Sequence, residues 1–282
     1  MPNMCRIGDI TVGPGHPLVL IAGPCVLEGG EIDLQIARSL AVAASEAGIP
    51  LIFKASFDKA NRTSLSSSRG PGLQEGLRQL SSIREATGLP VCTDIHEPDQ
   101  AREAAPHVDL MQVPAFLCRQ TDLLKACAET GRAVNVKKGQ FLSPQEMQHV
   151  VNKLETAGCQ DMMLTERGTF FGYQRLVNDF IGLGDMMSLE RPVCFDVTHS
   201  TQLPGAGQGQ SGGRPDRADL LARAATAAGV HALFMECHPN PSASSSDAAT
   251  VLDLTVIPEL LRQVVAIRKA LVSEQSSPAA TT

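Results

Sequence analysis

A single unit recurs along this chain: a helix-like stretch halts at a glycine, and a short apolar run starts one to three residues later. It occurs at Ala47-Gly48 before Pro50-LIFKAS, at Thr87-Gly88 before Pro90-VCTDI and at Thr130-Gly131 before Ala133-VNVKKG. It returns at Ala157-Gly158 before Asp161-MMLTERG and at Ala228-Gly229 before His231-ALFMECHP. Glycine takes the left-handed conformation that ends a helix without a Cβ penalty. Apolar runs of four to six residues then read as strands covered on both faces, as in a parallel sheet. Leu18-VLIAG, Asp109-LMQVPA and Pro192-VCFDVTH fit the same rhythm and bring the strands to eight. Helices are expected at 31–47, 72–87, 120–130, 144–157, 216–228 and 248–271, with shorter ones near 98–105 and 174–189. Ser143-Pro144 supplies an N-cap followed by the residue best suited to the first helical position. Eight strands alternating with helices in 282 residues predict an α/β chain folded as a (β/α)8 TIM barrel. An open doubly wound sheet is the alternative, because one sequence does not reveal strand order.

No linker splits the apolar blocks, so residues 1–272 are expected to form one catalytic domain with a short N-terminal extension. Within that extension, 10–14 reads as a strand or hairpin closing the bottom of the barrel. The tail, 273–282 (SEQSSPAATT), is small and polar and is expected to be disordered. The segment 205–213 (GAGQGQSGG) reads as a flexible lid after the seventh strand. With 24 basic and 30 acidic residues the net charge is −6, which disfavours nucleic acid or an anionic membrane as partner. Nine Phe, one Tyr and no Trp leave little surface for stacking bases. No apolar run approaches the roughly 20 residues of a membrane span, and the N-terminus lacks the apolar core of a signal peptide. Eight cysteines contain no CxxC pair, which suggests reduced thiols and a cytoplasmic location.

Any anionic ligand must therefore be held by a local cluster of cations. In a barrel the site lies on the loops that follow the strands. Here the strands run out into Cys25, Lys54 with Ser56, Asp94 with His96, Gln112, Lys137, Glu166 with Arg167, His199, and Glu236 with His238. A core has no use for polar groups at so many equivalent ends, since each costs free energy unless paired. One cluster is basic: Lys54, Lys59, Arg62, Arg69, Lys137, Lys138 and Arg167. Singly, each is an ordinary solvated charge; converging on one mouth, they suit phosphate and carboxylate groups. A second set, Cys25, His199, Glu236 and Asp247, with His96 and His238 in reserve, offers a thiolate, an imidazole and carboxylates to a divalent transition metal. No short-spacing motif links these residues, so this reading leaves the metal open. Glu236 and His238 share one strand face and Cys237 points away. Neither GxGxxG nor a P-loop motif is present, and the glycines near the strand ends (Gly70, Gly72, Gly139, Gly168, Gly172) read as permissive turns.

Longer stretches carry a resemblance. Ala22-GPCVLE, Phe53-KASFDKANRTS, Thr93-DIHEP, Gln112-VPAFLCRQTDLL, Asn135-VKKGQF, Leu164-TERGTFFGY, Phe195-DVTHSTQLPG and Glu236-CHPNP occur in this order. From about Ile7 to Leu271 the chain resembles the 3-deoxy-D-manno-octulosonate 8-phosphate synthases. The resemblance implies a barrel, usually a homotetramer, that condenses phosphoenolpyruvate with D-arabinose 5-phosphate and water for the lipopolysaccharide inner core. It implies that Lys54, Ser56, Lys59, Gln112, Ala115, Lys137 and Arg167 surround phosphoenolpyruvate. Asn61, Arg62 and Thr63 would meet the sugar phosphate, Asp94 and Phe116 would line its pocket, and Arg119 would reach in from a neighbouring subunit. Cys25 stands where metal-dependent members of the family carry Cys and independent ones Asn. This implies a divalent ion (Zn²⁺, Fe²⁺, Mn²⁺ or Co²⁺) on Cys25, His199, Glu236 and Asp247. Lys137, Asp94 and His199 are the implied catalytic groups. The sequence departs from the family in Gly29, where Ser is common, and in a Ser-rich loop at 241–246, which makes the register of Asp247 the least secure. The alternatives are a heptulosonate 7-phosphate synthase using erythrose 4-phosphate, a non-catalytic barrel that binds sugar phosphates, and a structural oligomer.

Overall fold

A computed structural model describes residues 4–61, 68–171, 174–206 and 212–275, with side chains up to 271. Eight strands form its centre: β1 (Val19–Gly23), β2 (Leu51–Lys54), β3 (Val91–Asp94), β4 (Leu110–Val113), β5 (Ala133–Lys137), β6 (Met162–Glu166), β7 (Val193–Asp196) and β8 (Ala232–His238). Each pairs in parallel with the next, and β8 pairs with β1 from Ala232↔Val19 to Glu236↔Gly23. That last pairing closes the sheet. The chain is a (β/α)8 barrel, and the open doubly wound sheet is excluded.

Helices α1 (Glu31–Ala47), α2 (Leu73–Thr87), α3 (Pro98–Ala104), α4 (Thr121–Glu129), α5 (Met147–Thr156), α6 (Phe180–Met187), α7 (Ala218–Ala228) and α8 (Ile257–Gln275) surround the sheet. Gly48, Gly88 and Gly229, which follow α1, α2 and α7, are left-handed, as the recurring unit requires. The boundaries differ at three helices. The regular part of α5 begins at Met147, because the Ser143-Pro144 start is a tighter turn. Its capping box is nevertheless present: Ser143 N donates to Glu146 Oε2 at 2.9 Å, and Glu146 N donates to Ser143 Oγ at 3.4 Å. The stretch before α6 forms a hairpin instead, with Leu176–Val177 pairing with Thr169–Phe170. Residues 248–256 are not α-helical. Leu252–Asp253 extends β8 by pairing with Cys237 and His238, and the Asp253 carboxylate caps the next turn at Thr255 N. The helix therefore starts at Ile257.

Side chains alternate between two cores. The outward face of the strands (Leu20, Phe53, Met111, Val136, Leu164, Phe195, Leu233) packs against the helices. The inward face starts apolar: Val19, Ile21, Ile52, Cys92, Leu110, Ala133, Met163, Cys194, Ala232 and Phe234 form a plug. Cys5, Ile7 and Val12 of the N-terminal hairpin (Cys5–Ile7 with Ile10–Val12) join that plug. Arg6 N donates to Asp161 Oδ1 at 2.8 Å, just before β6, so the hairpin covers the bottom as expected. Two residues further along seven of the eight strands the inward face turns polar: Lys54 after Ile52, Asp94 after Cys92, Gln112 after Leu110, Asn135 after Ala133, Thr165 after Met163, Asp196 after Cys194, Glu236 after Phe234; in β1, Gly23 follows Ile21. The period of two makes this switch possible without a break in the strand. Gln202–Leu203 pairs with Gly212–Gly213 at the foot of the expected lid, whose residues 207–211 lie outside the described residues. Residues 276–282 of the expected tail also lie outside them.

Candidate active site

A cleft opens at the C-terminal end of the barrel. Its lining includes Lys54, Lys59, Asn61, Asp94, Gln112, Ala115, Phe116, Lys137, Arg167, His199 and Glu236. Eleven of the residues expected at the site thus share one opening. Gly23 allows the mouth to assemble, since a Cβ there would collide with the carbonyl group of Lys54 on the adjoining strand.

The cations are buried and paired. Lys54 Nζ lies 3.0 Å from Glu236 Oε1, 3.2 Å from Asp94 Oδ2 and 3.0 Å from Ser56 Oγ. Burial pulls its ammonium down, but Asp94 and Glu236 outweigh burial and raise it well above the ordinary lysine range. Lys59 Nζ stands 3.9 Å from the same Glu236 oxygen. Lys137 Nζ pairs with Asp196 and sits 3.3 Å from the centroid of Phe234. Arg167 Nη2 donates to Gln202 Oε1 at 2.7 Å. Burial pulls the Arg167 guanidinium below its usual range despite nearby Asp196 and Glu166. Among the described residues its Nη1 is buried with no hydrogen-bond partner. A desolvated N–H on a cation, left unpaired, is suited to an anionic oxygen.

The second cluster also assembles. Cys25 Sγ, a Glu236 carboxylate oxygen and an Asp247 carboxylate oxygen lie within 4.8 Å of one another. His199 Nε2 is 3.6 Å from Glu236 Oε2 and 3.9 Å from Asp247 Oδ2. Glu236 Oε2 is buried with no donor among the described residues. Burial raises the Glu236 carboxyl, but Lys54 and His199 outweigh burial and hold it well below the usual range. Burial and the Glu236 charge push the Cys25 thiol up; a bound cation would reverse this by favouring the thiolate. An orphaned carboxylate oxygen, a thiol, an imidazole nitrogen and a second carboxylate together fit a divalent transition metal.

Asp196 was not anticipated from sequence. Its Oδ2 accepts from His199 Nδ1 at 2.9 Å, its Oδ1 accepts from His199 N at 2.8 Å, and it also holds Lys137. It therefore turns His199 Nε2 towards Glu236 and Asp247, the carboxylate–histidine arrangement common beside metals. The signal was available: Asp196 is a lone charge in the otherwise apolar run 192–197, and it ends β7. His96 and Gln140 also line the cleft.

Other expected residues fall elsewhere. Ser56 is fully buried and outside the cleft lining, where it donates to Asp94 and accepts from Lys54. Lys138 faces outward, 3.5 Å from Glu166 Oε1 and 3.1 Å from Thr169 Oγ1, where it ties a loop and touches no ligand space. Arg69 is 58% exposed and bound to Asp58. His238 meets Glu28 at 3.7 Å, outside the thiol–carboxylate cluster. Arg119 is exposed on a separate groove with Glu146, His149 and Lys153. Arg62 and Thr63, with Gly172, lie outside the described residues.

The fold and this opening define a barrel enzyme that handles strongly anionic substrates beside a mixed thiol, carboxylate and imidazole centre. The profile of the DAHP synthetase I family matches residues 3–273, and the chain belongs to that family. A relative from Synechococcus is 51% identical over 94% of each chain. One from Cyanothece is 51% identical over 93% of this chain and 96% of its own, and one from Trichlorobacter lovleyi is 50% identical over 95% and 98%. All three carry the name 2-dehydro-3-deoxyphosphooctonate aldolase.

Proposed function

We infer that this chain is a 3-deoxy-8-phosphooctulonate synthase, which joins phosphoenolpyruvate to D-arabinose 5-phosphate and releases phosphate. The observation that carries this reading is the unpaired, buried Arg167 Nη1 in a cleft shared with Lys54, Lys59 and Lys137. C3 of the enol phosphate attacks the sugar aldehyde and forms the new carbon–carbon bond, while positive charge develops at C2. Water adds at C2, and the hemiketal phosphate collapses to a ketone with loss of phosphate. Lys137 and Arg167 would hold the enol phosphate, and Gln112 and Ala115 would line its carboxylate end. Asn61, with Arg62 and Thr63, would meet the sugar phosphate. Fixed cations keep two anionic reactants in register, which is the principal task of such a site. Burial raises the carboxyls of Asp94 and Glu236, but Lys54 outweighs it and holds both well below the usual carboxylate range, so they stay ionised at neutral pH. They balance Lys54 and repel a misplaced anion.

Cys25, His199, Glu236 and Asp247 would hold a Zn²⁺, Fe²⁺, Mn²⁺ or Co²⁺ ion, which would orient the aldehyde and make nearby water more acidic. Asp196 fixes the His199 ring so that Nε2 remains available at that centre. The protein would act in the cytoplasm as a homotetramer. Phe116, Phe141, Phe170 and Phe171 support the assembly: these four of the nine Phe are more than half exposed, on loops after β4, β5 and β6. Arg119, off its own cleft, would complete the neighbouring one. The test supplies phosphoenolpyruvate with either arabinose 5-phosphate or erythrose 4-phosphate and follows phosphate release. Turnover with the five-carbon sugar alone is expected. Preference for erythrose 4-phosphate, or tight binding without turnover, overturns the assignment.

A further inference from the structure

Four polar side chains cross the barrel interior on successive strands: Asp94 on β3, Gln112 on β4, Asn135 on β5 and Thr165 on β6. Register sets Asp94 beside Gln112 and Gln112 beside Asn135. Thr165 Oγ1 lies 2.7 Å from Asn135 Oδ1, Asn135 Nδ2 lies 3.0 Å from Gln112 Oε1, and Gln112 Nε2 lies 2.7 Å from Asp94 Oδ1. The direction of this chain is forced from one end. Asp94 receives the Lys54 ammonium and the Ser56 hydroxyl, so it is a carboxylate that only accepts. Gln112 must turn its NH₂ towards it; the Gln112 carbonyl then requires a donor from Asn135, and the Asn135 carbonyl requires the Thr165 hydroxyl. Reversing any link brings two acceptor oxygens together in a buried site, which costs more than a neutral mismatch in water.

Asn135 and Thr165 are fully buried and do not line the cleft, whereas Gln112 and Asp94 do. A glutamine amide has two N–H groups. One serves Asp94, and the other has no acceptor among the described residues and can meet an anionic oxygen in the cleft that Gln112 lines; a flipped amide would offer that oxygen a repelling carbonyl. We propose that Asn135 and Thr165 are positioning residues which, through this one-way chain, hold the Gln112 amide with its N–H side towards Asp94 and phosphoenolpyruvate. The proposal rests on the synthase reading for its substrate and on geometry alone for the amide orientation.

Thr165→Val removes the terminal donor at nearly constant shape, and Thr165→Ser keeps the donor. The valine variant should raise KM for phosphoenolpyruvate about tenfold with a smaller change in kcat, and the serine variant should stay within about twofold of the parent. A packing role alone would rank serine, which lacks the methyl group, at or below valine. Asn135→Leu should exceed the valine effect, and if it does not fold, the Thr165 pair carries the test. Side-chain amide exchange in the ligand-free protein supplies a readout that needs no substrate. Exchange at Gln112 should be slow in the parent and in Thr165→Ser, and faster in Thr165→Val. An unchanged Gln112 exchange rate in Thr165→Val overturns the proposal, as does serine failing to rescue KM. If the parent itself forms no product from phosphoenolpyruvate, the synthase reading fails, and the exchange comparison still decides the amide orientation.

Discussion

Gly23→Ala probes how closely the two halves of the cleft are built together. Gly23 ends β1, just before Pro24-Cys25, and its Cα faces the backbone of Lys54 across the β1–β2 seam. An added Cβ would stand 3.0 Å from the Lys54 carbonyl carbon and 3.1 Å from Phe53 Cε2. The C=O bond, about 1.23 Å long, points at the new atom, so carbon and oxygen would overlap by roughly 1 Å. Backbone cannot rotate away as a side chain can, so one strand end must move by about that distance. Moving β1 displaces Cys25; moving β2 displaces Lys54 and Ser56. A displacement of roughly 1 Å at a positioned group costs on the order of 10²-fold in turnover. Overpacking itself costs about 1–3 kcal/mol, a loss the fold survives. Phosphate release by Gly23→Ala should therefore fall about 10²-fold while the protein remains folded by circular dichroism. Gly182→Ala is the control: its Cβ would press on Pro144 Cγ at 2.7 Å, remote from the cleft, and should lower stability with activity kept. Folded Gly23→Ala with activity within about twofold of the parent would refute the reasoning, because the seam would then have slack that its close packing does not allow.

Lys137→Met should reduce kcat/KM for phosphoenolpyruvate by roughly 10²–10³-fold, as for other lost electrostatic contacts, and near-normal kinetics would remove Lys137 from the site. Chelation should abolish activity, with Mn²⁺, Fe²⁺, Co²⁺ or Zn²⁺ restoring it to different degrees, and elemental analysis of Cys25→Ala should show lost metal; full activity in metal-free protein excludes an essential ion. A pH effect on stability is expected from His231, whose Nδ1 accepts from Val193 N at 3.0 Å. Burial, then the charge of Arg268, lowers its pKa from 6.5 to about 4. The unfolded chain thus binds the proton first, so stability is full above pH 6.5 and falls as pH drops towards 4, by up to roughly 3 kcal/mol. Denaturation midpoints measured across that window should slope in the parent and flatten in His231→Asn, and equal slopes would show that His231 is not the cause.

Five of the eight strands were legible twice over, by a glycine stop and by an apolar run that needs no alternation; the other three were legible by the run alone. Closure was not legible in the same way. It depends on β8 meeting β1, a contact between Ala232 and Val19 that no local pattern encodes. Two of the three misplaced helix starts have a common cause. At Ala248 and Gln174 the residues suit a helix, but Leu252–Asp253 and Leu176–Val177 find strand partners, and tertiary pairing overrides propensity. Most of the cleft was legible from the polar residues at the C-terminal end of each strand. Asn135 escaped because it lies inside β5, where a lone polar residue reads as noise until its neighbours are known, and Asp196 because the apolar run was read on to His199 whereas β7 ends at Asp196.

Taken strand by strand, each inward polar residue is a defect in an apolar core. Taken around the barrel, the defects fall on one tier and satisfy one another: Lys54 with Asp94 and Glu236, Lys137 with Asp196, Gln112 with Asn135. Four cleft atoms are left over among the described residues: an Arg167 N–H, a Glu236 oxygen, His96 Nδ1 and Gln140 Oε1. Of these, the Arg167 N–H requires an anion and the Glu236 oxygen a cation or a donor. The surplus of the network, more than any single strand-end residue, is what marks this opening as a place where an anionic substrate and a metal ion can meet.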